Sequence, residues 1–229
     1  MTAPPAIGVD GLSKSFGPLP VLDGLSLHVD RGEFVSILGP SGCGKSTLFS
    51  ILTGIESADA GALLLDGRPL AATDRPFAWM PQRDVLFPWR TVEQNVALGA
   101  EIAGGLDRRA ARERARELLA GFGLDAFRAM RPYQLSGGMR QRVALARTVA
   151  QGRDILLLDE PFGALDALTR TELQLWLERI WERERWTVLL ITHDVREAVL
   201  LSDRVYVMAP RPQGIALERG IPLPRPRTL

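Results

Sequence analysis

A single cysteine, Cys43, stands in the 229 residues, so no internal disulfide is available. No apolar run approaches the ~20 residues that a membrane-spanning helix needs. Excess charge is lacking too. The 28 basic and 27 acidic residues leave a net charge of +1, which gives no bulk electrostatic reason to bind nucleic acid. The first residues, Met1-Thr-Ala-Pro-Pro5, hold no basic stretch followed by an apolar one, so no export signal is read there. Together these absences predict a cytoplasmic location. What remains is ordinary for a globular chain, with 46% hydrophobic and 24% charged residues. The length accommodates one large domain, or a core with an inserted subdomain.

Gly39-Pro-Ser-Gly-Cys-Gly-Lys-Ser-Thr47 fits the spacing G-x-x-x-x-G-K-[ST], with Gly39, Gly44, Lys45 and Ser46 in the required places. A short apolar run at 34–38 precedes it as a strand, and 48–53 continue it as a helix, which is the context the motif requires. Glycines let the backbone wrap closely enough for successive N–H groups to face phosphate oxygens, and the helix N-terminus adds a favourable dipole. The predicted cradle is therefore Gly39, Pro40, Ser41, Gly42, Cys43, Gly44, Lys45, Ser46 and Thr47. Lys45 is placed to reach the β- and γ-phosphates as a point charge, and the Ser46 hydroxyl to ligate Mg²⁺. The expected ligand is a nucleoside triphosphate. Cys43, a thiol at a helix N-terminus, is expected to react readily where it is accessible.

Residues 7–38 read as β structure, because Leu25, Leu27 and Val29 alternate with Ser26, His28 and Asp30. Phe16 either stacks on a base, lying at a strand end just upstream of the phosphate loop, or fills the core. His28 falls on the polar face and reads as solvated. The run 61–67 predicts a strand ending in an Asp-Gly turn, and 77–80 a further strand that delivers Gln82. Val85-Leu-Phe-Pro-Trp89 is conspicuously apolar, and 92–98 follow as a helix. Helical spacing over 107–122 puts Ala111, Ala115, Leu118, Leu119 and Phe122 on one face, with Gly121 and Gly123 as breakers. Ser136 is a natural N-cap for a helix through Arg147, with Gly137 and Gly138 leaving its first-turn N–H groups open to an anion.

The four apolar residues 155–158, ending in Asp159 and Glu160, suit a strand buried on both faces. Carboxylates at its C-terminal end lie where α/β sheets place ligands. Asp159 is placed to hold Mg²⁺ and Glu160 to orient or deprotonate a water. An amphipathic helix is expected over 167–182, with Leu173, Trp176, Leu177, Ile180 and Trp181 buried. The strand 187–192 then ends at His193, and 204–208 and 214–218 read as edge strands before an extended, proline-rich tail.

In this order the phosphate loop, Gln82, Leu135-Ser-Gly-Gly-Met139, Asp159-Glu160, Ala164-Leu-Asp166 and His193 resemble the ATP-binding-cassette family, over essentially the whole chain. The resemblance implies an α/β phosphate-loop NTPase cassette with a mostly parallel core sheet, an antiparallel β subdomain and an inserted helical subdomain. On that reading residues 1–85 and 153–229 form the core with its β subdomain, and 86–152 the helical subdomain, in one ATP-binding domain. It also implies that two copies sandwich two ATP molecules, so that Ser136, Gly137 and Gly138 contact the γ-phosphate bound by the other copy. Phe16 becomes the adenine-stacking aromatic. Gln82 becomes the link between Mg²⁺, attacking water and membrane partner, with Ser46, Gln82 and Asp159 around the metal. Glu160 becomes the catalytic carboxylate, His193 the switch residue on the γ-phosphate, and Asp166 the residue coupling the sites. Lys45, Gln82, Glu160 and His193 together form the implied catalytic set.

The segment Leu86-Phe-Pro-Trp-Arg-Thr-Val92, followed by Asn95-Val96, is similar to importer cassettes of the nitrate/sulfonate/taurine group, and to those for thiamine-precursor pyrimidines. The chain lacks the appended regulatory domain of larger importer cassettes, and it stops soon after residue 218, where relatives often carry one more helix. The implied function is the ATP-hydrolysing subunit of a bacterial importer, peripheral on the cytoplasmic face of the membrane. Its implied partners are permease subunits, a second copy of itself and, indirectly, a solute-binding protein. The competing class is a soluble cassette ATPase acting on nucleic acid or ribosomes. Such proteins carry paired cassettes, coiled-coil insertions or basic arms, none of which is seen. A nucleotide-binding regulator without turnover is disfavoured because Glu160 and His193 are both in place.

Overall fold

The computed structural model describes residues 3–71, 74, 76–103, 105–163, 165–212 and 214–227. By its internal contacts the chain divides into two units, one of Met1–Arg75 with Glu178–Leu229 and one of Pro76–Leu177. In chain order the elements are β1 (Ile7–Phe16), β2 (Leu19–Val29), β3 (Phe34–Leu38), α1 (Lys45–Leu52), β4 (Ala60–Leu65) and β5 (Arg68–Pro69). Then come β6 (Phe77–Met80), α2 (Val92–Ala103), α3 (Arg108–Gly121), α4 (Gly137–Val149), β7 (Ile155–Asp159) and α5 (Ala167–Glu184). The last are β8 (Thr187–Ile191), α6 (Val195–Leu201), β9 (Arg204–Met208) and β10 (Ile215–Gly220).

In the first unit β2, β1, β4 and β5 lie in that order as an antiparallel sheet. The alternation along β2 is realised: Leu25, Leu27 and Val29 are buried while Ser26 and Asp30 are exposed. Asp66 (φ 49°) and Gly67 (φ 76°) make the left-handed pair that a two-residue turn between β4 and β5 needs. The second sheet of this unit centres on β3, flanked by β8 and β9, both parallel to it. Both faces of β3 and β8 are covered, so each reads as an unbroken apolar run apart from Ser36 and Thr187. Trp181, from the last turns of α5, fills the space beside Phe34 in an edge-on contact at 5.9 Å.

Two expectations for this unit are corrected. β9 is not an edge strand, because it lies between β3 and the antiparallel β10, which takes the edge on that side. His28 is not merely solvated: its Nε2 lies 2.6 Å from the Arg204 guanidinium and its Nδ1 3.3 Å from the Tyr206 hydroxyl. The proline-rich tail has no regular structure over 221–227, and two of its arginines anchor it. Arg227 Nη1 donates to the carbonyls of Val199 (2.8 Å) and Ser202 (2.6 Å), satisfying orphan acceptors at the end of α6. Arg225 lies over the Trp181 ring, 4.2 Å from its centroid.

In the second unit β6 and β7 are parallel neighbours, with Met80 opposite Leu158. Asp107 caps α3 by accepting from the N–H groups of Arg109 and Ala110, each at 2.9 Å. Gly121 still belongs to α3, and the stop falls at Gly123 (φ 68°). Ala111, Ala115, Leu119 and Phe122 are buried as expected, with Leu118 half-buried. α2 crosses α4 so closely that a Cβ at Gly99 would run into the Arg147 carbonyl. On α5, Leu173 and Leu177 are buried but Trp176 is only half so; its Nε1 donates to Gly121 O at 2.8 Å and its ring meets Phe122. No helix among the described residues is long and apolar enough to cross a membrane.

Candidate active site

The phosphate loop springs from the C-terminal end of β3 and feeds directly into α1. Its shape depends on glycine at Gly44, which adopts φ 110°, a value that L side chains rarely reach. A Cβ there would also lie 2.7 Å from Leu22 Cδ2 and 3.1 Å from the Val21 carbonyl, so β2 leaves room for nothing larger. The Lys45 ammonium is almost fully withdrawn from water and donates to the carbonyls of Gly39 (2.7 Å) and Pro40 (3.0 Å). Ser46 faces solvent. Cys43 does not: at 2% exposure it is buried, its Sγ 3.8 Å from Lys45 Nζ. The access on which its expected reactivity depends is therefore not provided.

β3 and β8 run parallel with Ile37 opposite Ile191, so the phosphate loop and His193 leave the same end of the sheet. The Thr192 N–H donates to Ile37 O at 3.2 Å, which fixes that end. His193 is exposed, and the next residue, Asp194, caps α6 through the N–H of Arg196 at 2.8 Å. Phe16 ends β1 with 46% of its surface exposed and Lys14 Nζ 5.3 Å from its ring centroid. Of the two readings of this ring, core filling is excluded.

In the second unit the ends of β6 and β7 bring two predicted residues into contact. Gln82 Nε2 donates to Glu160 Oε2 at 3.1 Å. Asp159 is buried at the end of β7, while Glu160 beside it is half-buried with φ 47°. A non-glycine residue in the left-handed region is uncommon, and such strain collects at working sites. Ser136 caps α4, its Oγ accepting from Met139 N at 3.2 Å. Gly138 is also a packing requirement, since a Cβ would lie 3.1 Å from Thr169 Cγ2 and 3.3 Å from Leu165 Cδ2. The N-terminal turns of α4 and α5 thus meet, which sets Gly138 close to the loop of Asp166. Asp166 is exposed and accepts from Thr169 N at 3.0 Å; that bond lowers its pKa below the usual carboxylate value. Ala164 of the Ala164-Leu-Asp166 element lies outside the described residues.

The apolar segment after Gln82 divides in two. Leu86 is buried and Phe87 half-buried, whereas Val85, Pro88 and Trp89 are exposed, Trp89 to 67%. Two features here went unread in the sequence. Asn95 is fully buried; its Oδ1 accepts from Phe87 N (2.8 Å) and its Nδ2 faces the carbonyls of Phe87, Arg90 and Thr91. The available signal was a polar residue between Val92 and Val96 on the apolar stripe of α2. The second is a pair of arginines, Arg140 and Arg147, that bind Asp84 and its neighbour.

Strand, phosphate loop and helix, with a histidine at the same sheet end, define a nucleotide-binding site of the phosphate-loop class. The profile of the family described as "ABC transporter" matches residues 22–163. The chain is 48% identical over 228 residues to the aliphatic sulfonates import ATP-binding protein SsuB 1 of Burkholderia cenocepacia (strain HI2424), covering 99% of this chain and 68% of that protein. It is likewise 48% identical to the aliphatic sulfonates import ATP-binding protein SsuB 2 of Agrobacterium fabrum (strain C58 / ATCC 33970), covering 97% of this chain and 82% of that protein. The dimeric structure of MJ0796, described as a bacterial ABC transporter cassette, superposes with a TM-score of 0.84 at 30% identity, over 94% of this chain and 98% of that one. The chain spans about two thirds of the length of the Burkholderia relatives. It belongs to the ABC transporter family and is an ATP-binding cassette, an ATPase, of that family.

Proposed function

We propose that this cassette hydrolyses ATP to power import of a small solute through a membrane permease, working as a dimer with a second copy of itself on the cytoplasmic face. The names of its relatives favour an aliphatic sulfonate as the solute, delivered by a solute-binding protein. On this reading the core with its β subdomain comprises residues 1–85 and 153–229, and residues 86–152 form the helical subdomain.

Phosphoryl transfer needs positioning and charge neutralisation more than covalent help. Two of the three Lys45 N–H donors hold loop carbonyls and the third faces the weak acceptor Cys43 Sγ at 3.8 Å, which a phosphate oxygen would displace. Phe16 stacks on adenine, and the backbone of residues 39–47 cradles the phosphates. Among the described residues no group of three or more His, Cys, Asp or Glu could hold a metal. Mg²⁺ needs no such group, since it takes one or two carboxylates plus phosphate oxygens. The hydroxyl of Ser46, the carboxylate of Asp159 and the amide oxygen of Gln82 are hard oxygen donors that fit it. Bound Mg²⁺ would neutralise charge on the transferring phosphate. Glu160 takes the proton of the attacking water, His193 donates to the γ-phosphate, and Ser136, Gly137 and Gly138 bind the γ-phosphate of the partner's ATP. Asp166 couples the two sites. Val85, Pro88 and Trp89 offer the permease an exposed apolar anchor.

The single observation that carries the reading is the Gln82–Glu160 contact at the end of two neighbouring strands. Glu160→Gln keeps that geometry but cannot take a proton. It should lower ATP turnover by about 10²- to 10⁴-fold, the range for a lost general base. ATP affinity should persist, and an ATP-dependent dimer should accumulate on size-exclusion chromatography with Mg²⁺. Turnover near wild type would remove Glu160 from the mechanism.

A further inference from the structure

α4 starts behind Ser136 and ends at Val149, a rod of about 20 Å at 1.5 Å per residue. Near its far end Arg147 donates Nη2 to Asp84 O (2.7 Å) and Nη1 to Val85 O (2.9 Å). Arg140, seven residues earlier and so on nearly the same face, donates Nε to Asp84 Oδ2 at 3.0 Å and Nη1 to Leu135 O at 2.9 Å. Asp84 Oδ1 accepts in turn from Leu86 N at 3.2 Å. Both guanidinium groups therefore grip the main chain or carboxylate immediately after Gln82.

The gripped conformation is not one that the segment would choose. Val85, a β-branched residue, is held at φ 38°, in the region such residues avoid. Burial lowers the Arg147 pKa and Asp84 opposes that shift, which marks a cation withdrawn from water into carbonyl contacts. Two residues before Asp84, the Gln82 amide rests on Glu160 at 3.1 Å.

We propose that Arg147 is a positioning residue for hydrolysis. It clamps the Asp84–Val85 backbone so that Gln82 stays on Glu160, and α4 transmits displacement of its Ser136 end to that pair. Arg140 supports the clamp from the same helix. The inference rests on the reading of Gln82 and Glu160 as catalytic, and the test separates the two.

ATPase kinetics of the full chain with Mg-ATP are compared for wild type, Arg147→Met, Gln82→Ala and the double variant, with circular dichroism as the check on folding. Arg147→Met should lower kcat by about 10-fold while KM for ATP stays within about two-fold, as for a group whose effect appears only in the chemical step. Arg147→Lys, which keeps a cation able to reach one carbonyl, should recover part of the loss. The double variant should be no slower than Gln82→Ala alone, because the clamp acts through that amide. Independent, multiplicative losses in the double variant would overturn the clamp while leaving the catalytic reading intact. A folded Arg147→Met with unchanged kcat would do the same. Unchanged kcat in Gln82→Ala would overturn the catalytic role of Gln82, and the clamp with it. If Arg147→Met fails to fold, the same cycle with Arg147→Lys decides by the same criteria.

Discussion

Cys43 and Glu160 show how far a single side chain's surroundings decide its chemistry. The reactivity of a thiol requires access, and Cys43 is buried beneath the loop it belongs to. The Gly39 backbone covers it closely enough that a Cβ there would sit 2.8 Å from its Sγ. Maleimide labelling of the folded chain should therefore require local opening and run at least ~100-fold slower than in denaturant. Mg-ATP, by stabilising the closed loop, should slow it further. Equal rates in folded and unfolded protein would contradict the loop geometry. Glu160 is the opposite case, half-buried and reachable, with its left-handed φ costing on the order of 1–3 kcal/mol. Pro161 disfavours a right-handed helical conformation before it, but the left-handed value is not one that rule provides. The residue's identity was legible in the sequence; its strain was not.

Asn95 is the clearest example at the scale of elements. It converts the first turns of α2 into a bracket for residues 87–91, the segment that presents Trp89. Asn95→Ala leaves the part-buried Phe87 N–H without its acceptor and the Arg90 carbonyl without the amide donor, and should cost about 1–3 kcal/mol of stability. Urea unfolding with an unchanged m-value and a lowered midpoint would record it, and an unchanged midpoint would mean that water replaces the amide. What the sequence made plain at this scale was whatever local pattern encodes. The two-residue period of β2, the apolar runs of β3 and β8, and the Ser136 cap are all legible there. What it hid were long-range pairings. Nothing near Arg204 says that its strand lies against β3, some 170 residues away in sequence, so by its own pattern β9 reads as an edge. Nor does the tail's own pattern show that Arg227 binds the α6 carbonyls contributed by residues 199–202. His28 looked solvated because Arg204 and Tyr206 reach it across the same distance.

For the molecule as a whole, the question is whether one copy suffices to complete a nucleotide site. Ser136 is exposed at the open N-terminus of α4, and its hydroxyl is engaged by its own cap bond to Met139. A similar cassette is dimeric in its solved structure. If Ser136 serves the partner's ATP, Ser136→Arg should abolish turnover but leave ATP binding through its own phosphate loop, measurable by equilibrium dialysis. Lys45→Ala should lose both turnover and tight phosphate binding at its own loop. Mixed in equal amounts, the two inactive variants pair at random, so half of the dimers are heterodimers by the statistics of a two-fold assembly. Each heterodimer carries one site with both defects and one site with neither. Independent sites then predict recovery of roughly one quarter of wild-type specific activity, half of the dimers having one of two sites intact. A site completed within one chain predicts no recovery at all, because every copy remains defective. No recovery despite heterodimers demonstrated by tagged co-purification would mean either that both sites must act together or that Ser136 does not serve the partner. ATP-driven dimerisation of Glu160→Gln paired with Ser136→Arg separates these two outcomes. When the two changes are combined in one chain, a Ser136 that serves the partner's ATP lets the arginine weaken dimerisation below that of Glu160→Gln, the outcome expected of joint action, whereas a Ser136 that has no part in the partner's site leaves it at the level of Glu160→Gln alone.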